Sequence, residues 1–399
     1  MSGTNERLSP AVSRAELERR WALARTRMRE LGCEALVVQG AANTVGIGGH
    51  FRWFTGACAL TSYPQTAIVP LQGAITLVAH GGLGSEARLG GRDPAYPGVD
   101  RRLGTASFPA VHYTGTYDAD IVAREIRAAG FATIGLVGAN SAYHGPMARL
   151  KGELAGVRIV DATPAIDAAK AIKSEEEIAW IRRTAAVQDT VLEKVAAFIR
   201  PGLKDFEIMA YAQYVGHTLG SETGYMLGCS APPGRPAALL LRPLQGREIA
   251  SGDVILVQVE TAGPGGFFAH VARFFVLGKT PLELGNAFDA MVAAQDFTLD
   301  LLKPGTPCRD IFAAYNAYMR ERGFAEETRL HCHGQGYDSV ERQLVRHDEE
   351  MTIEADMNIG LHPSVMTRDL FATVCDNFLT RADGSVERLH RTPRQIFEL

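Results

Sequence analysis

Leu330-His331-Cys332-His333-Gly334-Gln335-Gly336 is the stretch on which the reading of this 399-residue chain turns. Alone, a His-Gly-x-Gly run is a weak signal, because glycine turns beside a histidine arise by chance. Its flanks make it specific. Upstream, Val254-Ile255-Leu256-Val257-Gln258-Val259-Glu260 has the composition of a buried strand. A glycine turn follows, then a second such run, His270-Val271-Ala272-Arg273-Phe274-Phe275-Val276. Downstream stand Met357-Asn358-Ile359-Gly360-Leu361-His362-Pro363 and Val374-Cys375-Asp376-Asn377-Phe378-Leu379. The strand segments of residues 254–278 and 355–380 are expected to pack beside the glycine turn.

This order resembles the catalytic domain of the creatinase/aminopeptidase P/methionine aminopeptidase family, the pita-bread fold. Family members carry five metal ligands on the frame: two Asp in the first segment, the His of the glycine turn, a Glu before Pro and a Glu before Asp. Here the frame stays and the ligands change. The first Asp position reads Gln258, with Glu260 two residues on, and the second reads His270. The turn histidine is His333, the Glu before Pro is His362, and the Glu before Asp is Cys375. The interval from Gln258 to His270 is one residue longer than the commonest family spacing, which leaves open which of Gln258 and Glu260 faces the site.

Two divalent ions side by side need several carboxylates to offset their charge. This set offers Glu260, a Cys375 thiolate at most, three neutral imidazoles and an amide. The expectation is therefore one divalent transition metal, zinc or iron, on His270, His333 and His362 with Glu260 or Cys375 as a fourth ligand. The competing expectation is no metal at all, with the histidines working directly as acids and bases, as the resemblance to creatinase implies. Glu260, His333, Glu341 and Asp376 are the candidate catalytic groups. Family peptidases place a second histidine seven residues after the turn histidine; here that position is Val340.

The chain ahead of this region alternates helix and strand. Ser13-Arg14-Ala15-Glu16 reads as a capping box opening a helix to about Leu31, with Gly32 as its left-handed stop. Strands are expected at residues 36–38, 66–70, 74–79, 133–137 and 157–160, and helices at 118–129 and 146–154. Ser174 and Glu177 form a second capping box, and Ile178, Ile181 and Ala185 supply the apolar stripe of the helix it starts. Asp205 is placed to cap the next helix. The expected architecture is a two-domain α/β protein: a creatinase-like N-terminal domain over residues 1–168 and a pita-bread α+β catalytic domain over 169–399. The resemblance covers the second domain throughout and the first more loosely.

Between the first two strands lies Ile47-Gly48-Gly49-His50-Phe51-Arg52-Trp53-Phe54-Thr55-Gly56, running on to Tyr63. The resemblance implies a homodimer in which this loop nears the partner's active site, with His50, Arg52 or Tyr63 on the substrate. A glycine-rich turn plugged by aromatics is the structural alternative. Arg242 is a further candidate for a substrate carboxylate.

Composition narrows the partners. A net charge of -4 supplies no basic field for nucleic acid or anionic membrane. No apolar run approaches the roughly 20 residues that span a bilayer. The first residues lack the layout of a signal peptide, and six scattered cysteines without a CxxC pair suit reduced thiols in a cytoplasm. The functional expectation is a small-molecule hydrolase or lyase that breaks a C–N or other carbon–heteroatom bond. A Xaa-Pro-type metallopeptidase, a three-histidine iron oxygenase and a non-catalytic pseudoenzyme are the alternatives. The absence of basic, acidic or low-complexity extensions favours an enzyme over a binding module.

Overall fold

Local signals set the first elements. In the computed structural model, which describes residues 8, 11–40, 48–59, 63–106 and 116–399, Ser13 Oγ accepts the Glu16 backbone N–H at 3.0 Å. It caps α1 (Arg14–Leu31), and Gly32 ends that helix at φ 67°. Glu16 does not complete the expected box. Its carboxylate is taken by Arg19 and the buried Arg20 at 2.8 and 2.7 Å, because two guanidinium groups outweigh one backbone N–H.

The chain continues through β1 (Ala35–Gly40), α2 (Gly49–Thr55), β2 (Gln65–Pro70), β3 (Ile75–His80), β4 (Glu86–Arg88) and β5 (Val99–Thr105). Then follow α3 (Tyr117–Ala128), β6 (Thr133–Val137), α4 (His144–Glu153), β7 (Arg158–Asp161) and α5 (Thr163–Ala171). The seven strands form one mixed sheet in the order β4-β5-β3-β2-β1-β6-β7. β1 pairs antiparallel with β2 and parallel with β6, the partly parallel sheet expected from the alternation. One side packs on α3 and α4, where Ala119, Val122, Ile126 and Leu150 meet Val37, Val78 and Ile134. These elements belong to one compact unit, Ala11–Lys170.

The loop predicted after β1 contains a short helix, α2, whose Phe51, Trp53 and Phe54 are buried. His50 Nε2 lies 2.7 Å from Asp167 Oδ1, Arg52 is buried, and Tyr63 stacks on His80 with ring centres 4.5 Å apart. All three therefore have partners or packing inside this unit. Ile47 and residues 60–62 of that loop lie outside the described residues.

The other unit spans Ala171–Leu399. Ser174 caps α6 (Glu175–Phe198), and both halves of the box form: Ser174 Oγ accepts from Glu177 N at 3.2 Å, and the Glu177 carboxylate accepts from Ser174 N at 2.8 Å. Next come α7 (Asp205–Thr218), β8 (Thr223–Ala231), β9 (Val254–Ala262), β10 (Phe268–Val276), α8 (Leu282–Leu299) and α9 (Cys308–Glu321). Asp205 opens α7 without capping it. Its carboxylate accepts the backbone N–H groups of Ser230 and Gly246 at 3.2 and 2.7 Å, tying the helix to the chain beyond β8.

Short strands complete the unit: β11 (Cys332–Gly334), β12 (Glu341–Val345), β13 (Asn358–Leu361), β14 (Ser364–Met366), β15 (Phe371–Thr373), β16 (Asp376–Thr380), β17 (Val386–Arg388) and β18 (Phe397–Glu398). They make a four-stranded sheet, β18-β10-β9-β8, a five-stranded sheet, β12-β11-β13-β16-β17, and a small β14-β15 pair. Val191, Leu192 and Val195 of α6 cover Ile255, Val257, Val259 and Val271 on one face of the four-stranded sheet. Each fully buried aliphatic side chain there contributes roughly 1.5–3 kcal/mol relative to exposure. α8 and α9 cover Leu256, Phe274 and Ala372. An isolated bridge, Ala272 to Cys375, joins β10 to the chain entering β16.

Candidate active site

Strand register assembles the site. β9 and β10 pair so that Glu260 lies opposite His270 and Gln258 opposite Ala272. The two-residue period of a strand then turns Gln258 and Glu260 to one face. That face lines a cavity of about 380 Å³ together with Tyr225, His270, His333 and His362. The register left open by the sequence is thus resolved: both residues face the cavity, and Glu260 is the one against His270. Leu239, Val340, Met366 and Phe371 form the apolar wall, and Arg329 is the cation that borders it.

Glu260 is 5 % exposed and well held. One carboxylate oxygen accepts the Gln258 amide at 2.8 Å and lies 3.9 Å from His270 Nδ1. Burial alone raises its pKa. The neighbouring His270 and His333 imidazoles and the Tyr225 hydroxyl overcome that penalty and hold Glu260 below the ordinary carboxylate value. Tyr225, one strand over on β8 and in register with Glu260, is pushed far up by burial and by the Glu260 charge, so its hydroxyl keeps its proton.

Three imidazoles face this pair. Ring centres are 5.3 Å apart for His270 and His333, 5.5 Å for His270 and His362, and 5.2 Å for His333 and His362. His333 sits on β11 opposite Gly360 of β13. Its Nδ1 is 3.0 Å from the Gly334 carbonyl, an acceptor only, so Nδ1 carries the proton and Nε2 the lone pair. Burial lowers His333 to about 4 and, with the neighbouring His333 and His270 charges, lowers His362 well below its usual value. His270 Nε2 is buried without a hydrogen-bond partner. Glycine is required opposite it, because a Cβ on Gly360 would come within 2.2 Å of that nitrogen.

Asn377 fixes the backbone around these rings. Its Oδ1 accepts the His270 N–H at 2.8 Å, and its Nδ2 donates to Gln335 Oε1 and Asn358 Oδ1, each at 2.8 Å. Neither Asn377 nor Tyr225 stood among the residues expected from the sequence. Arg329 was missed as well; its place four residues before the turn histidine was the available signal.

Four expected groups take other roles. Glu341 is buried in an ion pair with Lys173 at 3.3 Å beneath the glycine turn, and it does not line the cavity. Asp376 is fully buried against Arg273, 2.7 Å from its guanidinium; a carboxylate locked there has no access to substrate. Cys375 is buried with its Sγ 3.8 Å from the His270 carbonyl oxygen. Burial and the charges of Asp376 and Glu260 push its thiol well up. Arg242 is exposed in a single 3-10 turn, Arg242–Leu244, away from the cavity lining.

The donor chemistry decides against a pair of metal ions. One carboxylate faces the cavity, and it is already bound by the Gln258 amide. A single negative charge cannot offset and bridge two divalent cations. Among the described residues, no three His, Cys, Asp or Glu side chains are grouped so as to hold an ion as they stand. Among the described residues no disulfide joins the cysteines. Among the described residues no helix is long and apolar enough to cross a membrane.

With this geometry in place, the relationships are clear. Residues 179–383 match the family described as metallopeptidase family M24, and the chain belongs to that family. An uncharacterized hydrolase/peptidase of Sinorhizobium fredii is 27% identical over 255 residues, which cover 62% of this chain and 64% of the relative. The chain spans a little under two thirds of the length of the curated relatives it matches first. The solved structure of dipeptidase PepE from Mycobacterium ulcerans has a TM-score of 0.77 at 19% identity and covers 97% of this chain and 99% of that one. An X-Pro aminopeptidase from Thermotoga maritima has a TM-score of 0.76 at 16% identity, covering 96% and 99%. At such identities the structural likeness establishes the fold: an N-terminal α/β domain followed by a pita-bread catalytic domain.

Proposed function

We propose that this protein is a hydrolase that cleaves the C–N bond of a small amide, of dipeptide size, in the cavity of its second unit. The observation that carries the reading is Glu260: a buried carboxylate held ionised in the lining of the cavity, with Tyr225 and three imidazoles around it. A carboxylate so placed accepts the proton of an attacking water, general base work that typically contributes 10²–10⁴-fold, by order of magnitude. The Tyr225 hydroxyl, kept protonated, is a donor for the oxyanion that develops on the carbonyl. Arg329 at the border suits a substrate carboxylate. The volume of about 380 Å³ fits a small ligand and not a folded protein.

The relatives' names support hydrolysis over elimination, and the lyase reading gains nothing from them. They also favour a second reading, Xaa-Pro-type peptidase activity, since the Thermotoga maritima structure is described as an X-Pro aminopeptidase. Against it stands the cavity wall, where Val340 occupies the position of the histidine that family peptidases place seven residues after the turn histidine. The deciding experiment offers the purified protein a panel of dipeptides, Xaa-Pro dipeptides among them, and small N-acyl amides, with amine release as the readout. Release from any amide that is lost in Glu260→Gln supports the proposal. Turnover confined to Xaa-Pro substrates selects the peptidase reading, and no release from any member overturns both.

A further inference from the structure

We infer that the amide taken by this cavity is an N-acylated amino acid, whose apolar acyl chain lies on Leu239, Val340 and Met366 and whose free carboxylate meets Arg329. The inference rests on the hydrolase reading above and names its substrate class.

The first observation is apolar surface left uncovered. Large apolar side chains exposed singly are ordinary and need no explanation. Here three of them gather on one cavity: Leu239 is 36 % exposed, Val340 47 % and Met366 54 %. They come from separate segments, the chain after β8, the residue directly before β12, and the end of β14. Phe371 of β15, almost buried, continues the wall. An alkyl chain laid on such a wall leaves water and gains about fourfold in affinity per buried methylene.

The second observation is charge. Among the described residues that line the cavity, Glu260 is the one carboxylate, and it already accepts the Gln258 amide at 2.8 Å. A dipeptide brings an α-ammonium to the acyl side of the scissile bond. Imidazoles offer it no anion in either protonation state. An ammonium drawn to Glu260 would sit on the group that must accept the proton of water. An acyl chain makes no such demand. On the leaving-group side the charge is positive: the Arg329 guanidinium lies 3.6 Å from the Glu327 carboxylate, past hydrogen-bond range, while Glu327 accepts the Arg329 backbone N–H at 2.8 Å. Those side-chain donors suit a substrate carboxylate. In the reaction the oxygen of water bonds to the acyl carbon and the C–N bond breaks. The proton taken by Glu260 passes to the leaving nitrogen, so a carboxylic acid and an amino acid are the products.

The test reads binding of uncleavable ligands, so it stands apart from the amine-release assay. Full-length protein is titrated by calorimetry with ketomethylene isosteres, in which CH₂ replaces the scissile N–H. The series mimics acetyl-, butanoyl- and hexanoyl-alanine, then 4-methylpentanoyl-alanine and leucyl-alanine, which differ only by the α-ammonium. Affinity should rise about fourfold per methylene from acetyl to hexanoyl. The 4-methylpentanoyl isostere should bind at least about 10-fold tighter than the leucyl one, whose ammonium finds no partner. Val340→Ser and Met366→Ser change half-exposed positions, so both variants fold, and each should flatten the chain-length series. Arg329→Gln should weaken the carboxylate ligands about 2–5-fold, the scale of an exposed ion pair, and leave the matching carboxamides unaffected. A flat chain-length series, a leucyl isostere that binds as tightly as its desamino twin, or no binding by folded protein overturns the proposal even where amides are cleaved. The expected order of affinities without cleavage of any amide keeps the ligand class and sinks the hydrolase reading instead.

Discussion

Glu260 and His270 face each other across β9 and β10, Oε2 to Nδ1 at 3.9 Å, and this one cross-strand pair sets the polarity of the whole cavity. It gives the cavity its single anion, beside an imidazole whose Nε2 is buried without a hydrogen-bond partner. Glu260→Gln keeps the shape and the bond to Gln258 while removing the charge. Turnover should fall by about 10²–10⁴-fold, with the thermal midpoint nearly unchanged, because the side chain remains isosteric. Steady-state kinetics beside a melting curve checks both halves, and a turnover within threefold of the parent would remove Glu260 from the chemistry.

Asp376 offers the opposite outcome. It follows directly after Cys375, on the frame where a proton shuttle was expected, yet its Oδ1 is 2.7 Å from the Arg273 guanidinium and 3.4 Å from that of Arg388. Arg273 is itself fully buried. Removing one partner of a buried ion pair leaves the other charge uncompensated, which costs about 3–5 kcal/mol. Asp376→Asn should lower the urea midpoint accordingly at unchanged m-value, while the molecules that remain folded keep their turnover number. A loss of turnover larger than the loss of folded protein would return Asp376 to the mechanism.

These two residues show what was readable in the sequence. The fold was, because its signals are local: the Ser13 cap, the Ser174 capping box, the continuous apolar runs of β9 and β10, and the glycine turn after His333 each act within a few residues. Of the groups that the spacing singled out, Glu260, His270, His333 and His362 come together on one cavity. What escaped depends on partners far away in the chain. Nothing near Asp376 announces that Arg273 will claim it, nor does Glu341 advertise Lys173, which lies 168 residues earlier. Tyr225 becomes a site residue only through the register of β8 on β9. Asn377 matters because four segments converge on its amide and backbone. Side-chain roles decided by tertiary pairing are the part that sequence spacing does not carry.

Acid should destabilise the protein through His390. This ring is buried and neutral: Nδ1 accepts the Asn377 N–H at 3.2 Å and Nε2 donates to Gln188 Oε1 at 2.9 Å. Burial pushes it down to about 4, against the opposing pull of Asp376 and Asp189. The folded value lies below the unfolded one of about 6.5, so the unfolded chain takes up the proton first as pH falls. The stabilisation is complete above pH about 6.5 and is lost progressively towards pH 4. Urea denaturation across that window should show the loss, and His390→Gln should flatten the slope by up to about 1.4 kcal/mol per pH unit. An unchanged slope in the variant would assign the acid sensitivity to other groups.

The smallest informative change is Gly360→Ala. Gly360 lies on β13 opposite His333, and the added methyl carbon would stand 2.2 Å from His270 Nε2 and 2.8 Å from its Cε1. Neither side gives easily. The backbone of Gly360 is held by ladder pairing with β11 and β16, and that of His270 by Asn377 at its N–H. Overpacking of this kind costs about 1–3 kcal/mol. The ring is the softer partner, so the variant should fold with a modestly lowered midpoint while His270 swings away from His333 and His362. Turnover should then fall at least about 10-fold. The deciding comparison is with Gly384→Ala: that glycine lies in a turn near the C-terminus with nothing near its added carbon, at φ 80°, where alanine is strained by backbone alone. That control should lower stability and leave activity intact. If Gly360→Ala behaves like the control, the space beside His270 is not what the cavity depends on.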